Sequence, residues 1–243
     1  MRINQYISRS TGYSRRKAEE LILAEKVKVN DEMVRDLSTQ IQSSDKVYLN
    51  GKLIKPQKFV YYALNKPVGY TTTTTDSHAE KLITELVPKD PPVFPVGRLD
   101  KETSGLIFIT NDGDFAQKMT HPKYEKEKEY IVETDKPLSE KSLEKLRIGI
   151  KLDDGITAPA KVTPLLSFRP TSRGDKRRNP FPPDNTPKNT YSIIIHEGRN
   201  RQIRRMIGAV GVKVTSLKRV RIGDFKLEDL KEGKYKKFDK IEL

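Results

Sequence analysis

The first fifty residues carry apolar side chains at helical spacing, followed by short alternating stretches. The apolar positions that recur every three or four residues are Ile3, Ile7, Ala18, Leu21 and Ile22. This spacing predicts two short amphipathic helices, and Ser14 is the expected N-cap of the second. The alternating stretches 27–29 and 47–49 predict short strands. We therefore expect a small N-terminal module over residues 1–50.

The remaining sequence alternates between strand-like and helix-like runs. Apolar runs predict strands at 60–64, 105–110, 129–133 and 191–196. Helical spacing predicts helices at 79–87, 113–120, 139–147 and 202–209. This mixture favours one α+β domain with a mixed sheet over residues 60–243. A turn followed by lysines marks a linker at 51–59 between this domain and the N-terminal module.

One segment, residues 168–190, departs from this pattern. It contains five prolines and six lysine or arginine residues. Such a composition offers too little apolar surface to order the segment, so we expect a basic, proline-rich loop. Its role stays open between a plain insertion and an RNA contact.

The chain is strongly basic. Lysine and arginine number 47 against 33 aspartates and glutamates, which gives a formal net charge of +14. This surplus indicates a polyanionic partner, either nucleic acid or an anionic membrane surface, although a lysine-rich surface alone would also produce it.

Composition also excludes several classes of protein. The absence of cysteine excludes disulfide scaffolds, thiol nucleophiles and thiolate metal sites. No apolar run approaches the roughly 18 residues that a membrane span needs, and the N-terminus lacks the pattern of a signal peptide. We therefore expect a cytoplasmic protein that does not enter a membrane.

The polar side of the N-terminal module is basic. Its cationic residues are Arg9, Arg15, Arg16, Lys17, Lys26 and Lys28. A run of charge is most often only a solvated face. Here most of the cations lie around one pair of helices, which favours contact with phosphates.

Metal and hydrolase sites find no support in the sequence. His78, His121 and His196 have no partner at the spacing of zinc ligands. The stretch 111–114 resembles a calcium loop but lacks the distal glutamate, so we predict a turn that leads into a helix from Gly113. A nucleophile elbow and a glycine-rich phosphate loop are also absent from the sequence.

Three segments carry the remaining chemistry. The first, residues 97–106, holds one carboxylate, Asp100, between basic neighbours, which by itself is typical of a surface turn. The second, residues 128–130, contains Tyr130 on a predicted strand. The third, residues 196–206, leads from a strand through a glycine turn into an arginine-rich helix, and helix N-termini and guanidinium groups both attract phosphate.

These segments resemble motifs of the bacterial ribosomal RNA pseudouridine synthases, in the branch with a small N-terminal RNA-binding module. The similar motifs lie at 64–69, 97–106, 128–130 and 198–206. Residues 1–48 resemble the alpha-L RNA-binding module. The resemblance covers nearly the whole chain apart from the 168–190 loop.

The resemblance implies that the chain isomerises a specific uridine in ribosomal RNA to pseudouridine. The reaction needs no redox or energy input, so no cofactor is expected. By the same resemblance, Asp100 is the catalytic carboxylate, which either attacks the anomeric carbon or removes a proton from the neighbouring sugar carbon. Tyr130 would stack on the extruded base and relay a proton, and Arg204 would form an ion pair with Asp100.

The resemblance also implies a set of substrate-binding residues. Arg98 would clamp the backbone of the target, and Ile203 would keep water from the detached base. From charge alone, we expect Arg199, Arg201 and Arg205 to neutralise phosphates together with the N-terminal helix pair and the basic loop. Lys66 and Pro67 are expected to shape the loop beneath the site.

Two other functions remain open at this point. The chain could be a non-catalytic ribosomal RNA-binding or ribosome-assembly factor. An RNA glycosidase would need a second carboxylate to activate water, and Glu102, the nearest candidate, is expected to face solvent. We expect a monomer that acts on ribosomal RNA, free or in assembling subunits. The sequence leaves open which uridine is modified and whether tRNA is also a substrate.

Overall fold

A computed structural model of the chain describes residues 1–73, 80–165 and 189–239. The predicted loop at 168–190 lies outside these ranges except for its last two residues, of which Thr190 begins a strand.

The described residues form helices and strands in an α+β arrangement. The α-helices are α1 (Ile3–Thr11), α2 (Arg15–Leu23), α3 (Gly113–Thr120), α4 (Glu140–Ile148) and α5 (Gln202–Ala209). The first strands are β1 (Val27–Val29), β2 (Glu32–Met33), β3 (Val47–Leu49), β4 (Lys52–Ile54), β5 (Tyr61–Lys66), β6 (Phe94–Val96), β7 (Ser104–Thr110) and β8 (Lys128–Thr134). They are followed by β9 (Lys151–Leu152), β10 (Gly155–Ile156), β11 (Lys161–Pro164), β12 (Thr190–Ile195), β13 (Val214–Ile222), β14 (Phe225–Lys226) and β15 (Tyr235–Lys237).

The N-terminal module packs α1 and α2 against a small antiparallel sheet in the order β2-β1-β3-β4. Its core consists of Ile3, Ile7, Ala18, Ile22, Val27, Ile41, Val47 and Leu49. The apolar residues that predict the two helices therefore do form one buried face. Ser14 caps α2 as expected, because its hydroxyl accepts a hydrogen bond of 3.1 Å from the amide of Lys17.

The module extends beyond its predicted end. Strand β4 pairs with β3 and completes the first sheet, although the sequence pattern assigns residues 52–54 to the linker. The tight turn at Asn50-Gly51 joins these two strands as a hairpin and does not end the module. The connector between the two domains is therefore shorter than the predicted 51–59.

A large mixed sheet forms the second domain. Its strand order is β11-β12-β8-β13-β7-β5-β15, with β14 beside β13 and β6 beside β7. Strands β13 and β7 run parallel, while the other neighbouring strands of this sheet are antiparallel. The expected α+β class and mixed sheet are confirmed.

The helices cover both faces of this sheet, because strand residues alternate between two hydrophobic clusters. Along β5, Tyr62 and Leu64 belong to the cluster that includes residues of α4 and α5, whereas Tyr61 and Ala63 belong to the cluster with residues of α3. The cleft described below is lined by residues of both clusters, among them Ile203 of α5 and Met119 of α3.

The predicted helix at 79–87 is wrong within the described residues. Only a short 3₁₀ helix forms there, over Ile83–Leu86. Leu82 is extended because it forms a parallel bridge with Thr71. Val87 precedes Pro88, and a residue before proline avoids the helical conformation.

Arg9 joins the module to the second domain. Its guanidinium carbon lies 4.0 Å from the ring centre of Phe59, and its Nε donates to the carbonyl of Gln57 at 3.3 Å. The sequence predicts an RNA contact for Arg9, but in the structure this side chain is partly buried in the junction.

Among the described residues, no helix is long and apolar enough to span a membrane.

Candidate active site

A cleft of 470 Å³ lies beside the loop that follows β6. Its volume is in the range of about 300–1,000 Å³ that is usual for small-molecule sites. Of the residues predicted for the site, the cleft is lined by Arg98, Asp100, Tyr130, Arg199, Arg201 and Ile203. The fold therefore brings together three segments that are far apart in the sequence.

The loop that carries Asp100 is held by a buried lysine. Lys66, at the end of β5, is fully buried, and its ammonium group donates to the carbonyls of Asp100 at 3.1 Å and Thr103 at 2.8 Å. It also donates to the carbonyl of Pro67 at 3.0 Å. Burial lowers the pKa of Lys66 to about 8, although the nearby carboxylate of Asp100 opposes this shift. The expected structural role of Lys66 agrees with this geometry.

Further hydrogen bonds hold the same loop from both sides. The hydroxyl of Thr72 donates to the carbonyl of Leu99 at 2.7 Å, and the amide of Gly69 donates to the carbonyl of Lys101 at 2.8 Å. The loop closes on itself through a 3.0 Å bond from the amide of Thr103 to the carbonyl of Asp100. The main chain around Asp100 is thus positioned before any ligand binds.

Tyr130 and Ile203 form apolar walls of the cleft. Tyr130 lies on β8 and is 8% exposed, while Ile203 lies in the first turn of α5 and is 4% exposed. Both belong to the hydrophobic cluster beneath α5. Asp100 is only partly buried at the edge of this apolar surface, and Arg98 is exposed at the rim.

The predicted ion pair between Arg204 and Asp100 is not formed in this structure. The guanidinium of Arg204 donates instead to the main-chain carbonyl of Glu102 at 3.0 Å, and its buried Nε has no hydrogen-bond partner. Burial lowers the pKa of Arg204, and the charge of Arg201 adds to this effect, whereas the carboxylates of Glu102 and Asp100 oppose it. The side chain lies near Asp100 but is held by the backbone of the next residues.

Two of the predicted phosphate ligands bind a hairpin of the protein itself. Arg199 donates to the carbonyl of Gly155 at 3.1 Å and pairs with Glu197 at 3.1 Å. Arg205 pairs with Asp154 at 2.7 Å, and Arg199 lies 3.4 Å from the same carboxylate. Arg199 lines the cleft, whereas Arg205 faces the β9–β10 hairpin. Both cations are therefore already paired within the protein.

Arg201 and Glu102 form an ion pair of 2.7 Å at the entrance of the cleft. The hydrogen bond from Arg201 lowers the pKa of Glu102. The side chain of Glu102 is 58% exposed, as expected, and it is occupied by the guanidinium. Glu102 is therefore poorly suited to activate water inside the cleft, which disfavours the glycosidase hypothesis.

Sequence reasoning missed two cations that line the cleft, Lys128 and Arg219. Arg219, on β13, is 4% exposed and donates to the carbonyl of Leu106 at 2.7 Å. Burial lowers the pKa of Lys128 to about 8, and the neighbouring charge of Arg219 adds to this effect. The sequence could have indicated Lys128, because residues two apart on a strand point to the same face and Tyr130 is already a predicted site residue.

The other cations predicted in the N-terminal module are open to solvent. Arg15, Arg16, Lys17 and Lys28 are exposed. Lys17 forms an ion pair of 2.7 Å with Glu20, which is one turn further along α2. The helix pair thus presents cations that phosphates can approach.

Comparisons with known proteins agree with both domains. The family described as RNA pseudouridylate synthase matches residues 60–209, and the S4 domain matches residues 1–47. The chain is 40% identical to ribosomal large subunit pseudouridine synthase B of Bacillus subtilis over 96% of this chain and 89% of that protein. It is 35% identical to the dual-specificity RNA pseudouridine synthase RluF of Escherichia coli K12, over 100% of this chain and 77% of that protein.

A solved structure supports the same assignment. A crystal structure of a pseudouridylate synthase aligns with 98% of this chain and 96% of its own chain, with 30% identity and a TM-score of 0.65. The fold and the cleft thus define an RNA-modifying isomerase with an N-terminal S4 module. The chain belongs to the RNA pseudouridine synthase family.

Proposed function

We propose that this chain isomerises a specific uridine in ribosomal RNA to pseudouridine, with Asp100 as the catalytic carboxylate. One observation carries the proposal: Asp100, Tyr130 and Ile203 line the same cleft, although they come from three distant segments. The relative from Bacillus subtilis is named for the large ribosomal subunit, so large-subunit RNA is the first substrate to test.

The position of Asp100 suits attack on an extruded nucleotide. A uridine inside a folded RNA must leave its stack before an enzyme can reach its glycosidic bond. The apolar walls provided by Tyr130 and Ile203 offer a face for the detached base and limit the access of water. Hydrogen bonds hold the main chain around Asp100, which supports a defined position for its carboxylate. Such a position suits either attack on the anomeric carbon or removal of a proton from the neighbouring sugar carbon.

Electrostatics support binding of RNA around the cleft. Arg98 is exposed at the rim, and the exposed cations of the N-terminal module extend the basic surface. Ion pairs such as Arg201–Glu102 and Arg205–Asp154 involve partly exposed side chains. Pairs of this kind contribute little stability, so phosphates can replace the carboxylates when RNA binds.

Release of tritium from uridine labelled at carbon five tests the proposal. Ribosomal RNA transcripts and assembled subunits are incubated with the wild-type chain and with Asp100→Asn. Release by the wild type alone is expected. Absence of release from every RNA, together with tight and salt-sensitive binding, would favour the assembly-factor hypothesis. Sedimentation of the free protein checks the expected monomer.

A further inference from the structure

The cleft contains two cations on one face of the large sheet. Lys128 and Tyr130 lie two residues apart on β8 and therefore point to the same side. Arg219 is the cross-strand partner of Tyr130 on β13. All three line the cleft that Asp100 enters from the loop after β6.

Neither cation has an acidic partner in the described part of the chain. No carboxylate among these residues lies within 4.0 Å of Lys128 or Arg219. The ammonium of Lys128 donates to the carbonyls of Lys126 at 3.1 Å and His196 at 3.2 Å, which leaves one of its three hydrogens. One terminal nitrogen of Arg219, Nη2, is buried and has no hydrogen-bond partner.

This arrangement is costly for the free protein. A buried charge without a counter-charge and a buried donor without an acceptor each oppose folding. Such an arrangement is typical of a binding site, where the ligand supplies the missing acceptor. The cations therefore indicate a ligand with oxygen atoms that carry negative charge.

The surroundings favour an oxygen of the base over a phosphate. Ile195 and Ile222 are the cross-strand partners of Lys128, and Leu217 lies two residues before Arg219 on β13. All three apolar side chains line the cleft and offer no hydrogen bond to a phosphodiester. Exposed cations such as Arg98 lie at the rim of the cleft, where they are accessible to phosphates. A uracil ring is planar and largely apolar, and it carries two carbonyl oxygens at its edge.

We infer that Lys128 and Arg219 hold the carbonyl oxygens of the target uracil and stabilise the negative charge that the ring gains when it leaves the sugar. This inference rests on the proposed function. When the C1′–N1 bond breaks, its electron pair stays on the ring and spreads onto both oxygens. Carbon five then bonds to C1′ as the carboxylate of Asp100 leaves that carbon or, in the glycal route, as C2′ regains its proton. Carbon five loses its proton to water and N1 takes up a proton from water, so atoms and charge balance. Preorganised donors at such a developing charge accelerate the step.

Lys128→Gln is the main test, because the amide of glutamine still donates to the two carbonyls that hold Lys128. Lys101→Gln is the matched control, since Lys101 is exposed, lies next to Asp100 in the sequence and does not line the cleft. Arg219→Lys tests the second cation while keeping its charge. Thermal unfolding checks that each variant is folded.

The readout is the single-turnover rate of glycosidic cleavage in RNA that carries either uridine or 5-fluorouridine at the target. Fluorine withdraws electrons, so the departing 5-fluorouracil anion needs less help from the protein. For Lys128→Gln we expect a loss of about 100-fold with uridine, unchanged RNA affinity and a clearly smaller loss with 5-fluorouridine. Lys101→Gln should cleave both at the wild-type rate.

An equal loss with both bases, an unchanged rate, or a loss confined to RNA affinity would overturn the inference. If Lys128→Gln does not fold, Arg219→Lys takes its place: it should lose more cleavage rate with uridine than with 5-fluorouridine. The wild-type rate on uridine reports on the proposed function separately. If the wild type forms no pseudouridine, the proposed function fails; if only the pattern among the variants differs, this inference alone fails.

Discussion

The ammonium group of Lys66 lies 3.1 Å from the main-chain oxygen of Asp100. The same group also bonds to the carbonyl of Thr103, so one buried cation holds both ends of the short turn that carries the carboxylate. The position of Asp100 therefore depends on a residue that lies 34 positions earlier in the chain. Lys66 acts as a positioning residue for the proposed reaction.

Replacing Lys66 by methionine should slow turnover without weakening RNA binding. The loop loses its shared donor, and a displacement of about 1 Å at a reacting group costs roughly 100-fold in rate. Single-turnover rates and the dissociation constant for RNA separate the two effects. Lys101→Met, which removes an exposed lysine from the same loop, should leave both values unchanged. A matching decrease in Lys101→Met would contradict the positioning role.

The stability contribution of Lys66 should depend on pH between about 8 and 10.5. Burial lowers the pKa of Lys66 from 10.5 to about 8, so in this window the unfolded chain binds more protons than the folded chain. The free energy of unfolding attributable to Lys66 must then rise with pH, by at most about 1.4 kcal/mol per unit. Below pH 8 the amine is charged in both states, so the contribution is constant.

Urea denaturation of the wild type and Lys66→Met across this pH range measures that contribution. The difference between the two free energies of unfolding should be flat up to pH 8 and then increase. A difference that stays constant from pH 7 to 10 would refute the lowered pKa.

Asp100→Asn should abolish pseudouridine formation and keep RNA binding. Asparagine has nearly the same shape but cannot act as a nucleophile or as a base. Removing a negative charge from a site that binds a polyanion should leave the affinity equal or higher. Tritium release and filter binding measure the two quantities. Normal turnover by this variant would remove Asp100 from the proposed mechanism.

Gly105→Ala should destabilise the fold by about 3 kcal/mol or more. Gly105 has a φ of +105°, and a methyl group there would overlap the main chain of Arg219 on the neighbouring strand β13. Gly208→Ala is the matched control, because Gly208 lies in α5 with open space around it. The control should gain about 0.5–1 kcal/mol from its higher helix propensity. Chemical denaturation compares both with the wild type.

The exposed arginines of the N-terminal module should contribute to the salt dependence of RNA binding. Arg15 and Arg16 are exposed at the start of α2. Replacing both by alanine should reduce the slope of log affinity against log salt, by up to about 0.7–0.9 for each phosphate that these arginines neutralise. Arg35→Ala is the control, since Arg35 is also exposed but pairs with Glu25 at 2.9 Å. Equal slopes for the wild type, the double variant and Arg35→Ala would argue against a phosphate contact by α2.

Much of the local structure could be predicted from the sequence. The helices at 113–120 and 202–209 lie where the apolar spacing places them, because a buried helical face imposes its period on neighbouring residues. The prediction of a helix at 79–87 was wrong because a bridge to Thr71 holds Leu82 extended, so that only a short 3₁₀ helix follows over Ile83–Leu86. A bridge between distant residues produces no periodic pattern in the sequence.

The segments that form the candidate site could be predicted from the sequence, but the contacts between their side chains could not. The motifs around Asp100 and Tyr130 did identify residues that line one cleft. The partners of the arginines were not predictable, since Arg205 meets Asp154 from 51 positions away and Arg204 bonds to a carbonyl 102 positions away. Side-chain pairing of this kind depends on which strands and loops become neighbours.

The sequence by itself determined the two-domain order, the α+β class and the family, because these depend on local periodicity and on short motifs. Only the tertiary structure decided which cations are free and which are occupied. It placed Arg199 and Arg205 against the β9–β10 hairpin, and it left Lys128 and Arg219 without acidic partners among the described residues. The reason is physical: burial and charge pairing are set by neighbours in space, and strand order brings those neighbours together from distant parts of the chain.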